Sequence, residues 1–196
     1  MTDSATKHAI AQMVPLGSRV LDLGCGDGTM LAHLQQTRGC TGYGVEIDDA
    51  NVLACVQRGV NVIQLNLDEG LALFDDASFD VVLQLDTLQH LRNAEVMLRE
   101  TVRVGRMGIV AFPNFAHWPN RLSVLRGRMP VTRRLPYQWY DTPNIRVGTH
   151  ADLAALALGN GLKVLDSFGL QDGHTVRWLP NLRAGTSVYQ LSGQAS

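Results

Sequence analysis

Cysteine is scarce in this chain and badly placed for pairing. Cys25, Cys40 and Cys55 are an odd number, widely spaced, and no C-x-x-C occurs. That argues against both a disulfide framework and a zinc knuckle, and a reduced, cytoplasmic setting is expected. Excess charge is missing too: 17 basic side chains stand against 18 acidic ones, a net charge of −1. The chain as a whole has no electrostatic pull toward nucleic acid or an anionic membrane. No apolar run approaches the roughly 18 residues of a membrane span. Met1–Lys7 is polar, and the apolar stretch behind it is short and broken by Gln12 and Pro15, so no signal peptide is expected. Repeats and low-complexity tracts are absent as well.

What is present is an ordinary globular composition, 45% hydrophobic and 18% charged over 196 residues, which suits one domain over 1–196. Its elements alternate legibly. Residues 4–14 suggest a helix closed by Pro15 and Gly17. Arg19–Leu23 reads as a short apolar strand, 29–37 as a helix with Met30, Leu31 and Leu34 on one face, and 41–47 as a second strand. A helix over 49–58 and strands over 61–65 and 79–85 follow, the last apolar enough to be central. A helix over 93–104 and a strand over 107–112 complete this run. The pattern returns at Thr149, read as a helix N-cap, and ends in strands over 163–168 and 187–191. Such alternation predicts an α/β fold: a doubly wound, mostly parallel seven-stranded sheet with helices on both faces.

Between Pro113 and Gly148 the alternation lapses. This insertion, at about 113–148, holds five aromatic residues and six arginines, with Asp141 its one acid. Loops of that length usually serve a function.

The loop after the first strand is the candidate ligand site, because ligands of doubly wound sheets bind outside the carboxyl ends of the strands. Residues 20–31 read V-L-D-L-G-C-G-D-G-T-M-L. A dinucleotide fingerprint is G-x-G-x-x-G, with a pyrophosphate on the helix N-terminus. Here Gly24, Gly26 and Gly28 alternate, and Asp22 and Asp27 flank them, which disfavours a diphosphate and favours a ligand carrying an ammonium and a sulfonium. S-adenosyl-L-methionine, or its product S-adenosyl-L-homocysteine, fits that charge. Glu46, 24 residues beyond Asp22, stands where an acid can accept from both ribose hydroxyls. At the end of the third strand Asn66 can take the adenine amine and the Leu67 N–H a ring nitrogen, with Asp68 as the alternative to Asn66. Asp86, with Thr87 and Leu88, falls near the methionine part. The expected cofactor set is Asp22, Gly24, Cys25, Gly26, Gly28, Glu46, Ile47, Asn66, Leu67 and Asp86. A glycine-rich turn can also exist for tight packing alone, and Glu46 can be a solvated strand end.

These stretches resemble the class I methyltransferase fold over most of the chain. N-L-D-E-G-L (66–71), D-T-L-Q (86–89), V-G-R-M-G-I-V-A-F-P-N-F-A-H-W (104–118) and G-R-M-P-V-T-R-R-L-P-Y-Q-W-Y-D-T-P-N-I (127–145) are similar to the methionine-biosynthesis protein MetW family. The resemblance implies association with homoserine O-acyltransferase, of MetX type, and does not by itself imply methyl transfer. Asn66 stands where that family usually has Asp, and Leu85-Asp86 where Ser-Gln is typical.

Catalytic residues stay unassigned. No N-P-P-[YF] tetrapeptide follows the fourth strand, no paired carboxylates suggest a magnesium site, and no metal ligands are expected. The absence of G-x-S-x-G leaves no nucleophile elbow, so an acylation step would belong to another polypeptide. His90 with Asp86, or His117 beside Trp118, could serve as a base, though capping or surface roles suit them as well. The 113–148 segment is read as an interface for the acyltransferase or as a lid, since interfaces enrich aromatics and Arg; RNA stacking on it is disfavoured by the net charge. Three roles remain: an adenosyl-binding partner or regulator of the acyltransferase, a small-molecule methyltransferase, or a structural subunit with a vestigial cleft. Glu46→Ala is expected to weaken binding of either adenosyl ligand at least about tenfold, because a charged hydrogen bond contributes roughly 1.5–3 kcal/mol. Unchanged affinity by calorimetry would remove Glu46 from the site.

Overall fold

The computed structural model describes residues 4–193. Among the described residues eight strands form one sheet in the order β3-β2-β1-β4-β5-β8-β6-β7. β1 (Arg19–Leu23), β2 (Thr41–Glu46), β3 (Val62–Gln64), β4 (Phe79–Leu85) and β5 (Gly105–Pro113) run parallel. β6 (Leu162–Gln171), β7 (His174–Val176) and β8 (Thr186–Gly193) close the far side with antiparallel pairings. The sheet thus has one strand more than the seven expected. β7 is a three-residue edge strand, turned back from β6 through Asp172 and Gly173, both at positive φ.

The apolar runs read as strands because successive residues feed opposite faces. Val20, Val81, Leu83 and Ile109 pack with Ile10, Leu31 and Leu34 of the helices α1 (Ser4–Ala11) and α2 (Thr29–Arg38). Leu21, Leu23 and Val82 pack on the other face with Leu71 and with Met97 and Val104 of α4 (Ala94–Val104). The opening helix stops at Ala11 and not at 14, since Pro15 and Gly17 draw the last residues into turns. α3 (Asp49–Gln57) starts on an Asp48 side chain that accepts from the Asn51 N–H at 2.9 Å.

Two helices interrupt segments read as irregular. α5 (Trp118–Leu125) lies inside the 113–148 insertion, and α7 (Pro180–Arg183) precedes β8; each has proline in its first turn. The insertion leaves and rejoins the sheet side by side, with Phe115 N–H donating to Gly148 O at 2.9 Å. Asn114 rivets that neck. Its buried side chain donates to Ala184 O at 2.8 Å and accepts from the Ala116 and His150 N–H groups at 3.1 Å each. Among the described residues no helix is long and apolar enough to cross a membrane.

α6 (His150–Gly159) carries the capping box expected at Thr149. Thr149 Oγ1 accepts from the Asp152 N–H at 3.2 Å, and Asp152 Oδ2 accepts from the Thr149 N–H at 3.0 Å. Thr149→Ala should cost about 1 kcal/mol, a fall in Tm of roughly 2–4 °C for a chain of this size. Scanning calorimetry checks it; an unchanged Tm would mean that packing alone sets this helix.

Candidate active-site cleft

The carboxyl ends of β1 to β4 open into a cleft of two adjoining chambers. One, of about 530 Å³, is lined by Lys7, Asp22, Asp27, Thr29, Met30 and Leu85 with the glycine loop. The other, of about 480 Å³, is lined by Glu46, Ile47, Asn66, Leu67, Asp68, Thr87 and His90 among others. Gly24, Asn51 and Asp86 line both, and so mark the junction.

The three glycines answer to different neighbours. All have positive φ, between 55° and 74°. A Cβ on Gly24 would fall 2.6 Å from Thr87 Oγ1, and one on Gly28 would fall 2.9 Å from Cys55 Sγ. These two glycines let β4 and α3 close on the loop. A Cβ on Gly26 would meet nothing within 4 Å, so this is the glycine that leaves the cleft open. Thr87 completes the lock by donating to Leu23 O at 2.8 Å.

Glu46 is buried and holds the loop from the side. Its Oε2 accepts from the Gly26 N–H at 2.8 Å, and its Oε1 from the Ile47 and Asp48 N–H groups at 2.8 and 3.0 Å. A carboxylate has about four acceptor sites, so three backbone donors leave room for further hydroxyl contact. Ile47 is 59% exposed beside this chamber, an apolar surface that a flat ring can cover. Asn66 caps the short 3₁₀ turn at Leu67–Glu69 through an acceptor bond from Asp68 N–H at 3.1 Å. Its oxygen is therefore half committed. The Leu67 N–H, first in that turn, has no acceptor within it. Asp68 Oδ1 accepts from the Arg92 N–H at 2.9 Å, so each of the two adenine candidates already has one acceptor bond in use.

The two flanking aspartates part ways. Asp27 accepts from the Thr29 hydroxyl at 2.6 Å and pairs with Arg58 at 3.1 Å; chiefly the Thr29 bond holds its carboxyl below the usual range. Asp27 lines the chamber with part of its charge answered by those partners. Asp22 is 2% exposed, and burial pushes its carboxyl up to about 7, with Lys7 opposing and Glu46 adding to the rise. The Cys25 Sγ lies 3.8 Å from that of Cys55, and burial raises both thiols. Cys25 contributes backbone to the loop and its thiol to the packing.

His90 and Asp86 do not form a dyad. The His90 Nδ1 is 3.1 Å from Pro143 O, and Asp86 Oδ1 is 3.4 Å from Arg134 Nη2. Asp86 sits at φ 55°, a left-handed conformation Asp tolerates better than most, where β4 stops. His117 lies with Arg134, Pro119 and Thr186 around a pocket of about 110 Å³, and burial lowers its pKa. Sequence reasoning missed Lys7, Asn51 and Arg134. Lys7 is one of two lysines in the chain, a rarity that could have drawn attention to it.

A glycine loop after β1, an acid ending β2 and the order 3-2-1-4-5 define the class I methyltransferase fold. A S-adenosylmethionine-dependent methyltransferase from Thermotoga maritima superposes with a TM-score of 0.69 at 19% identity, over 95% of this chain and 86% of that one. A second, from Mesorhizobium loti, gives 0.70 at 16% identity, over 96% and 97%. Within that fold, the family described as "Methionine biosynthesis protein MetW" matches residues 4–191, and the chain belongs to the MetW family. A relative from Rhodopirellula baltica, "Bifunctional methionine biosynthesis protein MetXA/MetW", is 37% identical over 96% of this chain, which spans only 32% of that protein. A ubiquinone biosynthesis O-methyltransferase from Pseudomonas fluorescens is 30% identical over 79% of this chain and 68% of its own length.

Asp22 ties stability to pH. Its folded pKa of about 7 lies above the unfolded carboxyl's roughly 3.9. The native state therefore holds a proton the unfolded chain has lost, and stability falls as pH rises from about 4 to about 7. Asp22→Asn should raise Tm by several degrees at pH 8. It should also weaken any ligand that presents an ammonium to this chamber. Thermal scans paired with calorimetry test both, and a lower Tm with unchanged affinity would contradict the assignment.

Proposed function

We propose that this protein binds S-adenosylmethionine or S-adenosylhomocysteine in the two-chambered cleft and acts as partner or regulator of a MetX-type homoserine O-acyltransferase. The observation that carries the ligand is the division of the cleft. One chamber has the buried acid Glu46, an apolar wall at Ile47 and Leu67, and the Leu67 turn N–H; the other has Lys7 and Asp22, which suit a carboxylate and an ammonium. Asp22, Gly24, Gly26, Glu46, Ile47, Asn66, Leu67 and Asp86 are the assigned contacts, with Cys25 and Gly28 shaping the loop.

Two observations support the partner. In the Rhodopirellula relative, MetXA and MetW stand in one bifunctional name and so in one chain. The 113–148 segment exposes Trp139 at 72% and Tyr140 at 71%, packed edge to face at 5.6 Å, above a surface groove lined by Arg126, Arg128 and Met129. Aromatic and Arg side chains are the usual anchors of interfaces. The proposed setting is cytoplasmic, with all three thiols free.

A small-molecule methyltransferase is the second reading. His117 favours it: burial lowers its pKa, and it faces a pocket at the carboxyl ends of β5 and β6. Against it stands size. That pocket's 110 Å³ is well under the 300 Å³ or more of ordinary small-molecule sites, and Arg134 lies between it and Asp86 of the cleft.

Sedimentation of the protein with its acyltransferase, with and without each adenosyl ligand, tests the partnership. The double variant Trp139→Ala, Tyr140→Ala should weaken association at least about tenfold while leaving ligand affinity unchanged. Association under no condition would end the partner reading, and radiolabel transfer to a pathway metabolite would replace it with the second.

A further inference from the structure

The two adenosyl ligands carry the same ammonium, carboxylate, ribose and adenine. They differ at the sulfur, which carries a methyl group and a positive charge in the sulfonium donor and neither in its thioether product. Any preference between them must come from what faces that sulfur. In a ligand spanning both chambers, the sulfur joins the amino-acid part to the nucleoside part, and so falls at the junction. Gly24, Asn51 and Asp86 line that junction. Asp86 is the one ionisable side chain among them.

Left alone, a carboxylate there would attract a sulfonium. Here it stands 3.4 Å from the Arg134 guanidinium, and both side chains are largely buried, at 18% and 17% exposed. Burial strengthens the effect of each charge on its surroundings. The guanidinium offsets the carboxylate at the place where the two ligands diverge. Lys7, Asp22 and Glu46 face parts that the ligands share, and act on the sulfur only from farther off than Asp86. Arg134 comes from the insertion, 48 residues along the chain from Asp86.

We propose that Arg134 is a specificity-determining residue that sets the cleft for the neutral thioether, S-adenosylhomocysteine, over the sulfonium donor. This rests on the adenosyl reading of the cleft given above. A protein matched to the demethylated product reports the product of methyl transfer, a reaction that other enzymes perform upstream of it.

Isothermal titration of the wild type, Arg134→Gln and Arg134→Lys with each of the two ligands tests it. The wild type should bind the thioether more tightly than the sulfonium. Arg134→Gln should move the affinity ratio toward the sulfonium by at least about fivefold, and Arg134→Lys, which keeps the charge, should stay near the wild-type ratio. A smaller shift in Arg134→Gln overturns the proposal, as does a wild type that prefers the sulfonium, a result needing no variant to fold. Binding of neither ligand by folded protein is the distinct result that removes the adenosyl reading itself.

Discussion

The hydrogen bond from the Gly26 N–H to the Glu46 carboxylate is the contact on which the cleft depends. It joins the loop after β1 to the end of β2, so that two chain segments 20 residues apart share one rim. Glu46 can do this because it is buried with three backbone donors aimed at it. A buried carboxylate without such donors would be costly. Gly24 slipping beneath Thr87 and Gly28 beside Cys55 then fix the loop from below and behind. The empty side at Gly26 is what remains, and that is where a ligand can lie against backbone. Two tight glycine approaches thus hold the third open.

The same end of the sheet receives the 113–148 insertion. Ile145 and Arg146 donate to Gln89 O at 3.0 Å each, Pro143 O meets His90, and Arg134 reaches Asp86. The turn following β4 is therefore gripped by the segment that exposes Trp139 and Tyr140 on its outer side. A ligand in the cleft and a protein on the surface would press on one short stretch, Asp86 to His90.

Much of the sheet was legible because strands covered on both faces must be continuously apolar. Arg19–Leu23 and Phe79–Leu85 stand out on that ground, and their bounds coincide with the structure. β7 was invisible, since H-T-V is too short and polar to show a pattern. α5 carried a signal that was passed over: Pro119 in a helical first turn marks a start as readily as a loop. In the cleft, the glycines and Glu46 were legible because their spacing follows from one strand–loop–helix unit. Lys7 and Arg134 were not, because they come from segments before and after that unit and reach the cleft only through tertiary packing. At Asp27 the sequence did not show that Thr29 and Arg58, close in space, share the carboxylate.

A crystal structure of the protein with S-adenosylhomocysteine is the most direct test of the central claim, that the Glu46-held loop forms an adenosyl cleft. A ribose hydroxyl should then lie on the one acceptor site left on Glu46, with the adenine between Ile47 and Leu67 and the amino-acid end between Lys7 and Asp22. A crevice closed by the protein's own side chains at saturating ligand, or one that accepts a nicotinamide dinucleotide in its place, would contradict it.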